Sequence, residues 1–70
     1  MNYPELRASI ARAGITNRKV AEILGLSEQA LYNKIQGETE FKNSEIKNLA
    51  SLLNLSMADV NYIFFDQSVI

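Results

Sequence analysis

The stretch Thr16-Asn17-Arg18-Lys19-Val20-Ala21-Glu22-Ile23-Leu24-Gly25-Leu26-Ser27, continued by Leu31, Ile35 and Gly37, decides how this chain folds. Thr16 carries a side-chain oxygen that can accept from the free N–H groups at a helix start, so it N-caps a helix over the residues that follow. Val20, Ala21, Ile23 and Leu24 supply that helix with its apolar side. Gly25 ends it, because a residue without Cβ takes the left-handed conformation at a helix end without steric cost. Only Leu26 separates that glycine from Ser27, a second N-cap, so the next helix starts almost at once. Leu31 and Ile35, four positions apart, face inward from this third helix, and Gly37 closes it. Two short helices joined so tightly cross steeply and need a small side chain where they approach. Ala21 provides it, and Leu26 plugs the core from within the turn.

Upstream, Tyr3-Pro4 opens an earlier helix, since proline in the first turn presets φ and forfeits no hydrogen bond. Leu6, Ile10 and Ala13 form its apolar stripe, and Gly14 stops it. Downstream, residues 38–43 form a polar connection interrupted by Phe41. Asn43 or Ser44 then caps a fourth helix with Ile46, Leu49, Leu52 and Leu53 on its buried side, ended by Asn54. Ser56, with Asp59 three residues on, resembles a capping box and opens a fifth helix. No segment alternates as a strand does, and nothing repeats. The expected fold is all-α: a compact five-helix domain over residues 1–70, with a helix-turn-helix at about 17–36 and a C-terminal helix and tail at about 57–70.

Seventy residues allow one domain, and an apolar content of 47% is enough to give it a core. With neither cysteine nor histidine, disulfides, thiolate or imidazole metal sites and His-based triads are excluded, so no metal or cofactor is expected. The carboxylates form no evident pair and so small a chain has little room for a pocket, so no enzyme is expected. There is no signal-peptide pattern and no apolar run long enough for a bilayer, which points to a cytoplasmic protein without a membrane partner. The net charge of −1 hides a gradient. Arg7, Arg12, Arg18 and Lys19 against Glu5 make residues 1–20 basic, whereas Glu38, Glu40, Glu45, Asp59 and Asp66 against Lys42 and Lys47 make residues 38–70 acidic.

Residues 16–27 with Leu31, Ile35 and Gly37 resemble the Cro/CI-like (XRE) family of helix-turn-helix regulators. The Leu31-Tyr32-Asn33-Lys34 run, with Glu40-Phe41 and Ser44-Glu45-Ile46, is similar to small phage Cro-like proteins in particular. The resemblance covers about residues 3–65. It implies a lambda-repressor-like fold and a transcriptional regulator, a Cro-like repressor, that binds a two-fold symmetric operator in double-stranded DNA as a homodimer. Two positions depart from the family pattern. An Arg on the first helix often pairs there with a Glu near the end of the third, and the matching residues here are Ile10 and Ile35. Replacing a buried ion pair by two apolar residues is often neutral or stabilising. Lys34 stands where a more apolar residue is usual, and is expected to snorkel outward toward a phosphate.

The docking that this resemblance implies puts the second helix of the pair in the major groove, N-terminal end first. Glu28, Gln29 and Asn33 then become base readers, with Tyr32 beside them. Helical periodicity independently places these four on one side, away from Leu31 and Ile35. Gln29 and Asn33 can each grip adenine with two hydrogen bonds, and Glu28 can accept from a cytosine amine. Phosphate contacts are expected at the start of the preceding helix, where free N–H groups favour an anion and Asn17 can donate. Arg18 and Lys19 are poorly placed for the helix dipole there and gain if a phosphate neutralises them. Ser27, Lys34, Lys42 and Asn43 complete the expected phosphate set. For each of these residues a merely solvated polar face is the plainer alternative.

The fifth helix carries two apolar stripes. Met57, Val60, Ile63 and Phe64 are expected to complete the core. Ala58, Tyr62, Phe65 and Val69, with Ile70 nearby, form a second stripe that wants a partner, either a symmetry mate or another protein. A tail folded back over the same core is the alternative. The competing functional reading is a small protein-binding modulator or antirepressor acting on a partner repressor, a role compatible with the acidic last third. The DNA-binding part of a longer repressor is one alternative, and the lack of a trailing linker favours the expectation of a complete small protein.

Overall fold

Side-chain caps mark the starts of four of the five helices. The computed structural model describes residues 1–65, with α1 at Tyr3–Arg12, α2 at Asn17–Leu24, α3 at Glu28–Gln36, α4 at Asn43–Leu52 and α5 at Met57–Phe64. Asn2 Oδ1 accepts from the Glu5 N–H at 3.2 Å, Thr16 Oγ1 from Lys19 at 3.1 Å, and Ser27 Oγ from Ala30 at 3.0 Å. Ser56 and Asp59 form the reciprocal capping box at α5, each side chain accepting from the other's backbone N–H. The fold is therefore all-α, with no strand among the described residues. No described helix is long and apolar enough to cross a membrane.

The fourth helix starts differently from the expectation. Its N-cap is Lys42, one residue before Asn43 and two before Ser44, and a lysine side chain has no acceptor to offer. The capping bond comes instead from Glu45, whose Oε1 accepts from the Lys42 N–H at 2.8 Å.

The ends of α2, α3 and α4 follow one scheme. At Gly25 (φ 71°) and Gly37 (φ 89°) the chain turns left-handed, and paired bonds close each end: Leu26 N–H to Ala21 O, and Glu38 N–H to Asn33 O. An added Cβ at Gly37 would also lie 3.0 Å from Cζ of the Tyr3 ring. Asn54 (φ 54°) plays the same role after α4, with Leu55 N–H bonded to Ala50 O.

The core gathers Leu6 and Ile10 of α1, Val20 and Ala21 of α2, Leu31 and Ile35 of α3, Phe41 of the connection, Leu49 of α4, and Ile63 and Phe64 of α5. α2 packs against α3 and α4, while α1 lies against α3 and α5. The Asn2 N–H donates to Ile63 O at 2.7 Å, tying the start of the chain to α5. Ile10 and Ile35 are both buried. Three other apolar residues are less buried than expected, the first being Ala13, which is exposed because α1 ends at Arg12 and leaves it as the C-cap, off the inward stripe. Ile23 is 44% exposed, because it sits on the order of 100° around the helix from the direction shared by Val20, Ala21 and Leu24. Met57 is 76% exposed, because it occupies the first turn of α5, beyond the edge of the core that Ile63 and Phe64 reach.

Candidate nucleic-acid interface

The turn Gly25–Leu26–Ser27 sets α3 directly across α2, and burial then divides α3 into two sides. Leu31, Lys34 and Ile35 are buried. Glu28, Gln29 and Tyr32 are exposed and Asn33 is half-buried, so the four candidate base readers occupy the uncovered side. Gln29 Nε2 donates to Asn33 Oδ1 at 2.9 Å, one helical turn away. That bond joins the two amides and leaves the Gln29 oxygen and the Asn33 amide hydrogens unused by it, an acceptor and donors on adjacent turns of one helix. Arg7 Nη1 reaches the Ile35 carbonyl at 3.5 Å and supplies positive charge to the C-terminal end of α3. Sequence spacing held no signal for Arg7, whose partner lies 28 positions away.

The start of α2 holds Asn17, Arg18 and Lys19, all exposed. It is the only described helix without an acid in its first turn; the others have Glu5, Glu28, Glu45 and Asp59 there. Lys19 Nζ stands 3.8 Å from Glu22 Oε1, a long and exposed pair of little energetic weight. Arg18 makes no ion pair with the described residues. Ser27 spends an oxygen lone pair on the Ala30 N–H and keeps its hydroxyl hydrogen to donate. Lys42 and Asn43 are exposed at the start of α4.

Lys34 does not belong to the phosphate set. Its side chain runs inward, where Nζ lies 3.0 Å from Glu45 Oε1, donates to the Glu40 carbonyl at 2.8 Å and stands 5.8 Å above the centre of the Phe41 ring. The expected snorkel fails because Lys34 shares the inward stripe of Leu31 and Ile35 at helical spacing, and a buried acid is there to meet it. That spacing was the signal available in the sequence for its burial. Burial alone would push the Glu45 carboxyl up, but the Lys42 N–H and the Lys34 ammonium outweigh it and hold the group below its ordinary range.

On α5, Ala58 is exposed and Tyr62 and Phe65 are each half in contact with solvent. Phe65 and Met57 also line an open groove of about 550 Å³ between α4 and α5, with Ile46, Ala50 and Val60. Val69 and Ile70, the end of the expected second stripe, lie outside the described residues.

Residues 1–67 match the family model described as "Protein of unknown function (DUF739)". The chain belongs to the DUF739 family. No curated protein and no solved structure matches it. In this DUF739 chain the polar candidates thus fall into three exposed groups: the outer side of α3, the start of α2 and the start of α4. A buried ion pair stands behind the first and third of these groups.

Proposed function

We propose that this DUF739 chain is a sequence-specific DNA-binding transcriptional regulator, a cytoplasmic Cro-like repressor that engages a two-fold symmetric operator as a homodimer. The observation that carries the reading is the uncovered side of α3. Behind a tight helix-turn-helix junction, a helix with a fully apolar-and-ion-paired back presents Glu28, Gln29, Tyr32 and Asn33 to the outside. In the major groove, paired amides of this kind discriminate adenine, and each good bidentate contact is worth about 1–3 kcal/mol against the wrong base. Arg18 and Lys19 on the free N–H groups of α2 suit a phosphate on the flanking backbone. Cations are few, so two copies reading two half-sites about one helical turn apart supply affinity that charge alone does not. The exposed Tyr62 and Phe65 are the surface on which the two copies meet.

Selection of bound fragments from a random duplex pool tests this reading. A two-fold symmetric consensus is expected, with binding that weakens steeply as salt rises. Gln29→Ala and Asn33→Ala are each expected to reduce operator affinity about tenfold or more while relaxing preference at one base position. Failure to enrich any sequence at low salt sinks the proposal. The same exposed aromatics favour the second reading, a modulator that binds a partner repressor. Retention of one repressor protein by a chain that enriches no DNA sequence would establish that reading instead.

A further inference from the structure

We infer that Lys34 and Glu45 form a positioning clamp. It holds the 38–42 connection and the first turn of α4 against the back of α3, and so sets where Lys42 and Asn43 stand relative to the base-reading side. The DNA half of this inference rests on the function proposed above; the clamp itself rests on contacts within the chain.

One ammonium on the inward side of α3 stands at the centre of the links. Lys34 Nζ takes the Glu40 carbonyl at 2.8 Å and the Glu45 carboxylate at 3.0 Å, and lies 5.8 Å from the centre of the Phe41 ring. The same Glu45 Oε1 accepts from the Lys42 N–H at 2.8 Å, which is the bond that starts α4. Phe41 in turn meets Phe64 of α5 edge to face, ring centres 6.1 Å apart. Thus the lysine directly engages residues 40, 41 and 45, and residue 42 through a shared oxygen. Both charged side chains are almost wholly covered, with 11% and 9% of their surface exposed, so water competes weakly for these bonds.

An apolar residue at position 34 fills the same space, but leaves the buried Glu45 carboxylate without its counter-charge. It has no donors, so it exerts no directional pull on the Glu40 carbonyl or the Glu45 carboxylate. Hydrophobic contact is non-directional, whereas a buried hydrogen-bonded charge fixes register. The connection needs such a device, because Lys42 has no side-chain oxygen to cap α4 by itself. Lys34 and Glu45 are positioning residues, not contacts to DNA, and act through Lys42 and Asn43.

The test uses the double variant Lys34→Met/Glu45→Gln, which keeps the volume of both side chains and the oxygen that accepts from Lys42. Lys42→Ala is then made in the wild-type and in the double-variant background. The clamp predicts a folded double variant whose Lys42 amide exchanges at least tenfold faster relative to the Leu49 amide of the core. It also predicts that Lys42→Ala weakens operator binding several-fold in the wild type and less than twofold without the clamp. Equal losses in the two backgrounds overturn the positioning role, and an unchanged Lys42 amide overturns the clamp. Should the double variant not fold, Glu45→Gln alone removes only the charge and enters the same cycle. If the wild-type chain selects no DNA, the DNA reading fails separately and the exchange rates alone decide whether the clamp exists.

Discussion

The two ends of α3 are built in opposite ways. At its start, three residues do everything: Gly25 turns left-handed, Leu26 packs on the core, and Ser27 caps the new helix. Gly25 and Ser27 act on their immediate neighbours, and Leu26 adds only the apolar contact that its place in the turn gives it. At the other end, Gly37 also turns left-handed, but the chain then crosses residues 38–42 before α4 begins on a lysine. That junction is held by Lys34 from α3, Glu45 from α4 and Phe64 from α5. The first junction is local and the second is tertiary. The difference predicts that the first fails by small backbone and capping increments, whereas the second fails through one desolvated charge.

The largest effect is expected at the tertiary junction. Glu45→Ala strands the Lys34 ammonium and removes the Lys42 cap, and should lower unfolding free energy by about 3–5 kcal/mol in urea titration. A loss below about 1 kcal/mol would mean the pair is effectively solvated, and the contrast between the two ends would vanish. The same carboxyl gives an acid signature. Its folded pKa is depressed from an ordinary 4.5, so its contribution is complete above that value and disappears as pH falls through the folded one. Wild-type stability should therefore fall more steeply than that of Glu45→Gln as pH drops from about 4.5 through the folded pKa, compared by urea midpoints across the acid range.

At the local junction, Gly25→Ala places a Cβ in open space but at φ 71°, so only the left-handed backbone is penalised. The expected loss is about 1–2 kcal/mol. Gly37→Ala carries the same penalty plus displacement of the Tyr3 ring, and thermal unfolding of the two variants side by side should find it the worse. Ser27→Ala removes one capping bond and should cost about 1 kcal/mol by chemical denaturation, without altering the folded far-UV spectrum. The smallest effect sharpens the comparison by reversing it. Lys42→Ser offers α4 the side-chain cap that it lacks, and should stabilise the domain by up to about 1 kcal/mol while weakening any binding to DNA phosphate.

Much of this was legible residue by residue. Thr16, Ser27 and Ser56 announce helix starts because the bond they make spans three positions. Leu31 and Ile35 at helical spacing mark the inner side of α3, and the same spacing assigns Gln29 and Asn33 to the outer one. Ile23 and Met57 misled because apolar character says that a residue favours burial, not that a neighbour is present to cover it. Lys34 misled for the opposite reason. Its charge argued for solvent, although its position in the 31–34–35 stripe argued for the core.

Local bonds and periodicity act over one or two turns, so the chain alone determined five helices, their order, the α2–α3 junction and the polar side of α3. Only the tertiary structure decided which partners meet across long stretches of sequence: Arg7 with the end of α3, Phe41 with Phe64, and the small set of contacts around Lys34 and Glu45. A charge becomes cheap to bury only when its counter-charge and hydrogen-bond partners are delivered to the same point, and that delivery is the work of packing, not of any residue's own propensity.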